Sequence, residues 1–200
     1  MRILISTRDF RIPPTNFLYD CLERSWYSFL DNHQLIPVSN YGVVPDLDYD
    51  CLVLSGGQDS IARHLTENKL FYHAMRNRKP VLGVCHGAFA VNDLTGGVNK
   101  VISKEYIDKH DKTNHKIKMV TGEEYEVCSY HGQCVTSLGE NMVPVAHDED
   151  GHIEAFKHVA LPIYGIVWHP ERMKNPIVPK EVSELLQKPY QFATEKNQPE

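Results

Sequence analysis

Four short runs in the first half of the chain carry almost no polar residue: RILIS (2–6), LIPV (35–38), CLVLS (51–55) and PVLGV (80–84). A strand with one wet face alternates apolar and polar side chains, so a run without alternation is covered on both faces. Covering both faces of a sheet takes helices above and below parallel strands, and helix-like stretches do fall between these runs. Asn16 to Asn32 carries an apolar stripe through Phe17, Leu18, Cys21, Leu22, Trp26 and Leu30. Leu65 to Arg78 and the stretch from His86 to about Leu94, stopped by Gly96-Gly97, complete the set.

The second half changes character. Residues 115–120, 125–127, 143–147, 152–158 and 163–168 read as short strands separated by turns, and Val178 to Gln187 as a closing helix. The prediction is an α/β fold: a flavodoxin-like, doubly wound, mostly parallel sheet with a smaller antiparallel β portion in the second half. With no repeat and no Gly/Ser linker, residues 1–187 read as one domain and 188–200 as a polar tail.

A net charge of −5 and the lack of a long basic run argue against nucleic acid or an anionic membrane as partner. No apolar run is long enough to span a bilayer, and MRILISTRDF has charges where a secretory signal needs its apolar segment. Five cysteines, an odd number without a CxxC pair, fit free thiols in a reducing cytoplasm.

Three strand ends carry chemistry. In VLGVCHGAFAVN (81–92), Cys85 stands between Gly83 and Gly87, where an apolar run gives way to a helix-like one. A sharp strand-to-helix turn crowds a nucleophile against its neighbours, and missing side chains relieve the crowding. The helix N-terminus would also favour the thiolate. On its own, GxCxG fits a buried core cysteine as well. In IVWHPER (166–172), His169 and Glu171 stand two apart across Pro170, so an extended chain points both to one side. Glu171 can then orient an imidazole whose other nitrogen faces a thiol. In LSGGQD (54–59), Gly56 and Gly57 let backbone N–H groups face a ligand. The N–H groups of Gly57 and His86 are the candidate oxyanion hole.

Taken together and in this order, these segments resemble the class I glutamine amidotransferase family from about Arg2 to Arg172. The resemblance implies a catalytic triad of Cys85, His169 and Glu171 and no cofactor or metal. CSYHGQ (128–133) and GHIEAF (151–156) look like segments of its γ-glutamyl hydrolase branch. That branch implies Ser129, Tyr130 and His131 as residues holding the glutamyl α-amino and α-carboxylate groups. Ser129 and Gln133 can hydrogen-bond such a zwitterionic end. Glu154 is open between ammonium binding and a structural carboxylate.

The chain also departs from the family. Phe89 stands four residues after Cys85, where most amidotransferases have a glutamine that helps hold the substrate. Gln58 stands where synthase-linked glutaminases commonly carry proline. The expected substrate is therefore a small γ-glutamyl amide, with no obligatory synthase partner and a homodimer left open. The N-terminal segment resembles small stand-alone members encoded with surface-sugar pathways. Arg8, just past the first strand, would suit an anionic leaving group, while Arg11 reads as a surface residue. Asp20 and Arg24, four apart on the predicted first helix, read as a surface pair. The rival readings are a γ-glutamyl-amine hydrolase, a glutaminase subunit delivering ammonia, and a non-enzymatic ligand binder on the same fold. A metal site is not expected, because no Cys/His spacing suits zinc and His110 and His115 fall in a predicted loop.

Overall fold

The computed structural model describes residues 1–187, so the predicted polar tail, 188–200, lies outside the described residues. The chain runs β1 (Arg2–Ser6), β2 (Arg8–Ile12), β3 (Phe17–Cys21), α1 (Ser25–Phe29), β4 (Gln34–Val38), β5 (Cys51–Leu54), α2 (Ile61–Arg76), β6 (Val81–Val84) and α3 (His86–Leu94). It continues through β7 (Val98–Lys100), α4 (Lys104–His110), β8 (Asp111–Met119), β9 (Glu124–Tyr130), β10 (Cys134–Ser137), β11 (Met142–Asp148), β12 (Ile153–His158) and β13 (Ile163–Ile166). A 3₁₀ turn (Pro170–Arg172) and α5 (Lys180–Leu186) follow.

The large sheet runs β4-β1-β5-β6-β13-β12-β11-β8-β9, and β10 joins β12 to β7. Its first five strands are all parallel. In chain order they lie second, first, third, fourth, fifth, the flavodoxin arrangement, in which ligands bind beyond the carboxyl ends of the strands. The antiparallel strands sit between β6 and β13 in sequence but beyond β13 in space. The unbroken apolar runs are where the two-sided burial lies: Ile3, Leu4, Ile5, every residue of β5, and Val81, Leu82 and Val84 are buried completely. At about 25 cal/mol per Å² of apolar surface, each such side chain favours folding by roughly 1.5–3 kcal/mol.

The N-terminal region corrects the predicted helix over Asn16–Asn32. Residues 17–21 are instead the second strand of a hairpin with β2, and only Ser25–Phe29 is helical. Asn16 takes a left-handed conformation at φ 57°, which suits asparagine and turns the chain. Phe17, Leu18 and Tyr19 are exposed, so the stripe that suggested a buried helix face buries only its later members, among them Trp26 and Leu30. Asp20 and Arg24 are therefore not helix partners. Asp20 Oδ1 instead accepts from Asn40 Nδ2 at 2.9 Å, and the same amide donates to Asp9 at 2.6 Å, which fastens both hairpin strands to the end of β4.

In the second half, β7, α4 and β10 are elements that the residue pattern alone does not reveal. Ser103 caps α4 by accepting from the Tyr106 N–H at 3.1 Å. His110 ends this helix and His115 lies on β8, so neither is in a loop. Among the described residues, no helix is long and apolar enough to cross a membrane.

Candidate active site

Four parallel strands deliver the site. Arg8 follows β1, Gly56-Gly57 follow β5, Cys85 follows β6 and His169 follows β13. Cys85 has φ 50° and ψ −108°, a strained geometry for a residue with a side chain. Its N–H donates to the Ile166 carbonyl, and its own carbonyl accepts from the Ala88 and Phe89 N–H groups as α3 begins. The first N–H groups of a helix have no partner inside it, and His86 supplies the first of them here. The flanking glycines permit this corner. A Cβ at Gly83 would lie 2.4 Å from the Gly87 carbonyl oxygen, and one at Gly87 would lie 1.9 Å from that of Leu54.

The glycine turn after β5 is packed as tightly. A Cβ on Gly56 would fall 2.7 Å from His169 Cε1 and 3.5 Å from Cys85 Cβ, so the absent side chain makes room for the imidazole beside the thiol. Gly57 has φ 133°, a region open to glycine, and the Arg8 side chain lies directly against it.

Beneath the turn lies a network that sequence reasoning missed. Arg63 is completely buried and Glu67 almost so, one helical turn apart on α2, with Nε 2.9 Å from Oε1. Arg63 donates to the carbonyls of Ser55 (2.5 Å), Gln58 (3.1 Å) and Gly56 (3.4 Å). Glu67 accepts from Ser6 Oγ at 2.7 Å and lies 2.9 Å from His86 Nε2. One ion pair thus spans both candidate oxyanion donors, holding carbonyls around Gly57 and the side chain of His86. Burial pushes the Glu67 carboxyl up, but His86 and Arg63 outweigh it and keep it ionised. Arg63 and Glu67 are spaced like any surface i, i+4 pair, and only their position just after a glycine turn could have drawn attention to them.

His169 and Glu171 meet through Nδ1 and Oε1 at 2.6 Å, both buried. Pro170 opens the 3₁₀ turn that brings Glu171 back under the ring, and the His169 N–H is anchored on the Cys128 carbonyl at 2.9 Å. Burial pushes the Cys85 thiol up, but the charge of His169 and its hydrogen bond outweigh that and hold the thiol below its ordinary value. Burial pushes His169 down, while Cys85 and Glu171 carry it up to about 9. The favoured state is thiolate with imidazolium. By contrast, burial and nearby carboxylates push Cys51 up to about 12 and Cys134 to about 11. A pH–rate profile should therefore keep its activity through the neutral range, fall in acid as the Cys85 thiolate is protonated, and fall in alkali above about pH 9, as His169 loses its proton. An alkaline loss already near the ordinary histidine value of about 6.5 would contradict the pairing.

The predicted binding residues divide. The Tyr130 ring stands edge-on to His169, with centroids 5.6 Å apart, and the Arg172 guanidinium lies 4.5 Å from the centroid of the same tyrosine. Ser129 is buried and its hydroxyl has no hydrogen-bond partner among the described residues. His131 is buried against Phe89, with ring centroids 6.0 Å apart. Gln133 is exposed, and its carbonyl accepts from His131 Nδ1 at 2.8 Å. Glu154 is completely buried and faces His131 and His115. Arg8 reaches over Gly57 with its Nε buried and unpartnered.

A family model described as Peptidase C26 matches residues 33–171, more than half of the chain. The chain belongs to the Peptidase C26 family. Among similar proteins, this C26 chain is 33% identical over 132 residues to the gamma-glutamyl-CDP-amidate hydrolase of Campylobacter jejuni, covering 60% of this chain and 62% of that one. It is 32% identical over 123 residues to a subunit of the glutamine-hydrolyzing GMP synthase of Methanococcus vannielii, covering 60% and 63%. The match thus spans less than two thirds of either relative. Among solved structures, a putative GMP synthase subunit from Thermoplasma acidophilum superposes with a TM-score of 0.68 at 18% identity, covering 93% of this chain and 92% of that one. A glutamine amidotransferase from Thermotoga maritima does so at 0.65 and 16%, covering 85% and 76%. These two likenesses establish that the C26 chain has the glutamine amidotransferase fold.

Proposed function

We propose that the protein hydrolyses a γ-glutamyl amide through Cys85, His169 and Glu171 and releases L-glutamate. The observation that carries this reading is the strained Cys85 beside an imidazole held by Glu171 at 2.6 Å. The Cys85 thiolate attacks the γ-carbonyl carbon, and the N–H groups of Gly57 and His86 stabilise the oxyanion. The His169 imidazolium gives its proton to the leaving nitrogen as the C–N bond breaks, which leaves a glutamyl thioester. Neutral His169 then takes a proton from water, and the hydroxide adds to the thioester. Collapse of that adduct frees glutamate and restores the thiolate-imidazolium pair. Ser129, Tyr130 and His131 hold the glutamyl end, partly through backbone atoms.

The proposed substrate is γ-glutamyl-CDP-amidate, which would give cytidine diphosphoramidate for the modification of a capsular polysaccharide. The relative from Campylobacter jejuni supports it. So does Arg8, which carries an unpartnered buried donor over the glycine turn. Beside that turn, a cleft of about 390 Å³ lined by Phe10, Arg11, Leu18, Gln58 and Asp59 has room for part of a bulky leaving group. Phe89 speaks against free glutamine, because it offers no side-chain hydrogen bond where most amidotransferases place a glutamine. The relative named as a GMP synthase subunit favours a second reading, a glutaminase working with a synthase.

Glutamate release from glutamine, a γ-glutamyl alkylamide and γ-glutamyl-CDP-amidate separates the readings. The expected result is a strong preference for the nucleotide. Preference for the alkylamide would move the protein to γ-glutamyl-amine breakdown, and glutamine turnover only beside a partner would make it a synthase subunit.

A further inference from the structure

Behind the SYH segment lies a group of buried donors that the proposed hydrolysis does not use. His110 and Glu154 are buried, the His115 side chain is 9% exposed, and their ligand atoms all lie within 4.8 Å of one another. Among the described residues, neither Glu154 oxygen, neither ring nitrogen of His115, nor His110 Nε2 makes a hydrogen bond, and their ionic contacts lie at 3.2–3.7 Å. So many unmet polar atoms in one buried place is unusual, because each carries a desolvation cost.

The tautomers sharpen the point. His110 Nδ1 lies 2.9 Å from the Tyr106 carbonyl, which can only accept, so that nitrogen carries the hydrogen. Nε2 of a neutral His110 then turns a lone pair toward Asp148 Oδ2, 3.2 Å away. His131 repeats the pattern: Nδ1 donates to the Gln133 carbonyl, and Nε2 faces Glu154 Oε1 at 3.7 Å. A neutral ring at either position sets a lone pair against a carboxylate, which either a proton or a metal ion relieves, and against the effect of burial Glu154 favours the protonated form of His131.

We propose that His110 Nε2, His115 and Glu154 bind a divalent first-row transition-metal ion of the zinc class. Imidazole nitrogen with one carboxylate is a donor set of that class, and a backbone carbonyl holding the far nitrogen is the usual outer support. Bonds of about 2.0–2.2 Å place tetrahedral ligand atoms roughly 3.3–3.6 Å apart. His115 Nε2 and Glu154 Oε2 already stand at 3.5 Å. The backbone brings the histidines together: β8 shifts register between Asp111 and Thr113, Lys112 takes a left-handed φ of 58°, and the two ring centroids come within 4.4 Å. A cleft of about 540 Å³ reaches His110, His115 and Asp148 from outside, which gives an ion its way in. The ion would tie α4, β8 and β12 to one another.

The test is zinc retention in the Cys85→Ala protein, where the reactive thiol cannot take the ion. After incubation with Zn²⁺ and desalting, elemental analysis should find about one ion per chain, and Zn²⁺ should raise the melting temperature. His115→Gln and Glu154→Gln, each added to Cys85→Ala, should lose both effects. His115 makes no side-chain hydrogen bond, so its replacement breaks none, and circular dichroism verifies the fold. No retained zinc in Cys85→Ala would overturn the proposal and leave imidazolium–carboxylate pairs in its place. Retention undiminished in both added variants would also overturn it, by putting the ion elsewhere.

Discussion

Cys85→Ala is expected to lower kcat for the preferred γ-glutamyl substrate by at least about 10⁴-fold, because nucleophile and base act as a unit and little survives the loss of either. The melting temperature should hardly change. The side chain is buried, but the strained corner is set by Gly83, Gly87 and the start of α3 rather than by sulfur. The measurement is single-turnover glutamate release with calorimetry on the same samples. A variant that keeps its rate would remove the thioester mechanism. The same thiol should be the first alkylated near neutral pH, since Cys51 and Cys134 are held as neutral thiols by burial.

The second large effect is expected from Arg63→Met, beneath the glycine turn. It removes one of the three partners of the buried Glu67 carboxylate, leaving Ser6 and His86, and leaves the Ser55, Gly56 and Gln58 carbonyls without their donor. Breaking a buried pair from one side costs about 3–5 kcal/mol, which for a chain of this size lowers Tm by roughly 6–20 °C. Activity should fall as well at temperatures where the variant is still folded, because the turn that aims the Gly57 N–H has lost its clamp. Arg63→Met with Glu67→Leu should regain part of the stability, since no charge is left buried alone, but not the rate. Rate and stability recovering together would make the pair a scaffold element only.

The parallel half of the fold was legible because β1, β5 and β6 are buried on both faces, which writes continuous apolar runs into the sequence; β4 breaks the rule, an edge strand whose Leu35 and Ile36 are only half-buried and whose Pro37 is exposed. The hairpin was not. Phe17, Leu18, Cys21 and Leu22 happen to fall at helical spacing, and nothing local to them reveals that Phe17 and Leu18 face solvent. The deciding contacts, from Asn40 to Asp9 and Asp20, come from residues 20 to 31 positions away. The strand-end motifs around Cys85, Gly56-Gly57 and His169 were readable because each depends on neighbours in sequence. Arg63 and Glu67 were not, because burial alone turns a common surface spacing into a clamp. The shift at Lys112 that brings the His110 and His115 rings together likewise leaves no mark in residue spacing.

The sheet order has a consequence for how the protein is made. Val81 pairs with Ile163, so β6 and the strand that carries the base are neighbours in space but about 80 residues apart in synthesis. At roughly 5–20 residues per second, the thiol leaves the ribosome some 4–16 s before its imidazole. Until then β6 has an unpaired edge, and the largest of the charges that favour the Cys85 thiolate is missing. The proposed triad is incomplete through most of this elongation and is completed only when the last parallel strand slides into the gap.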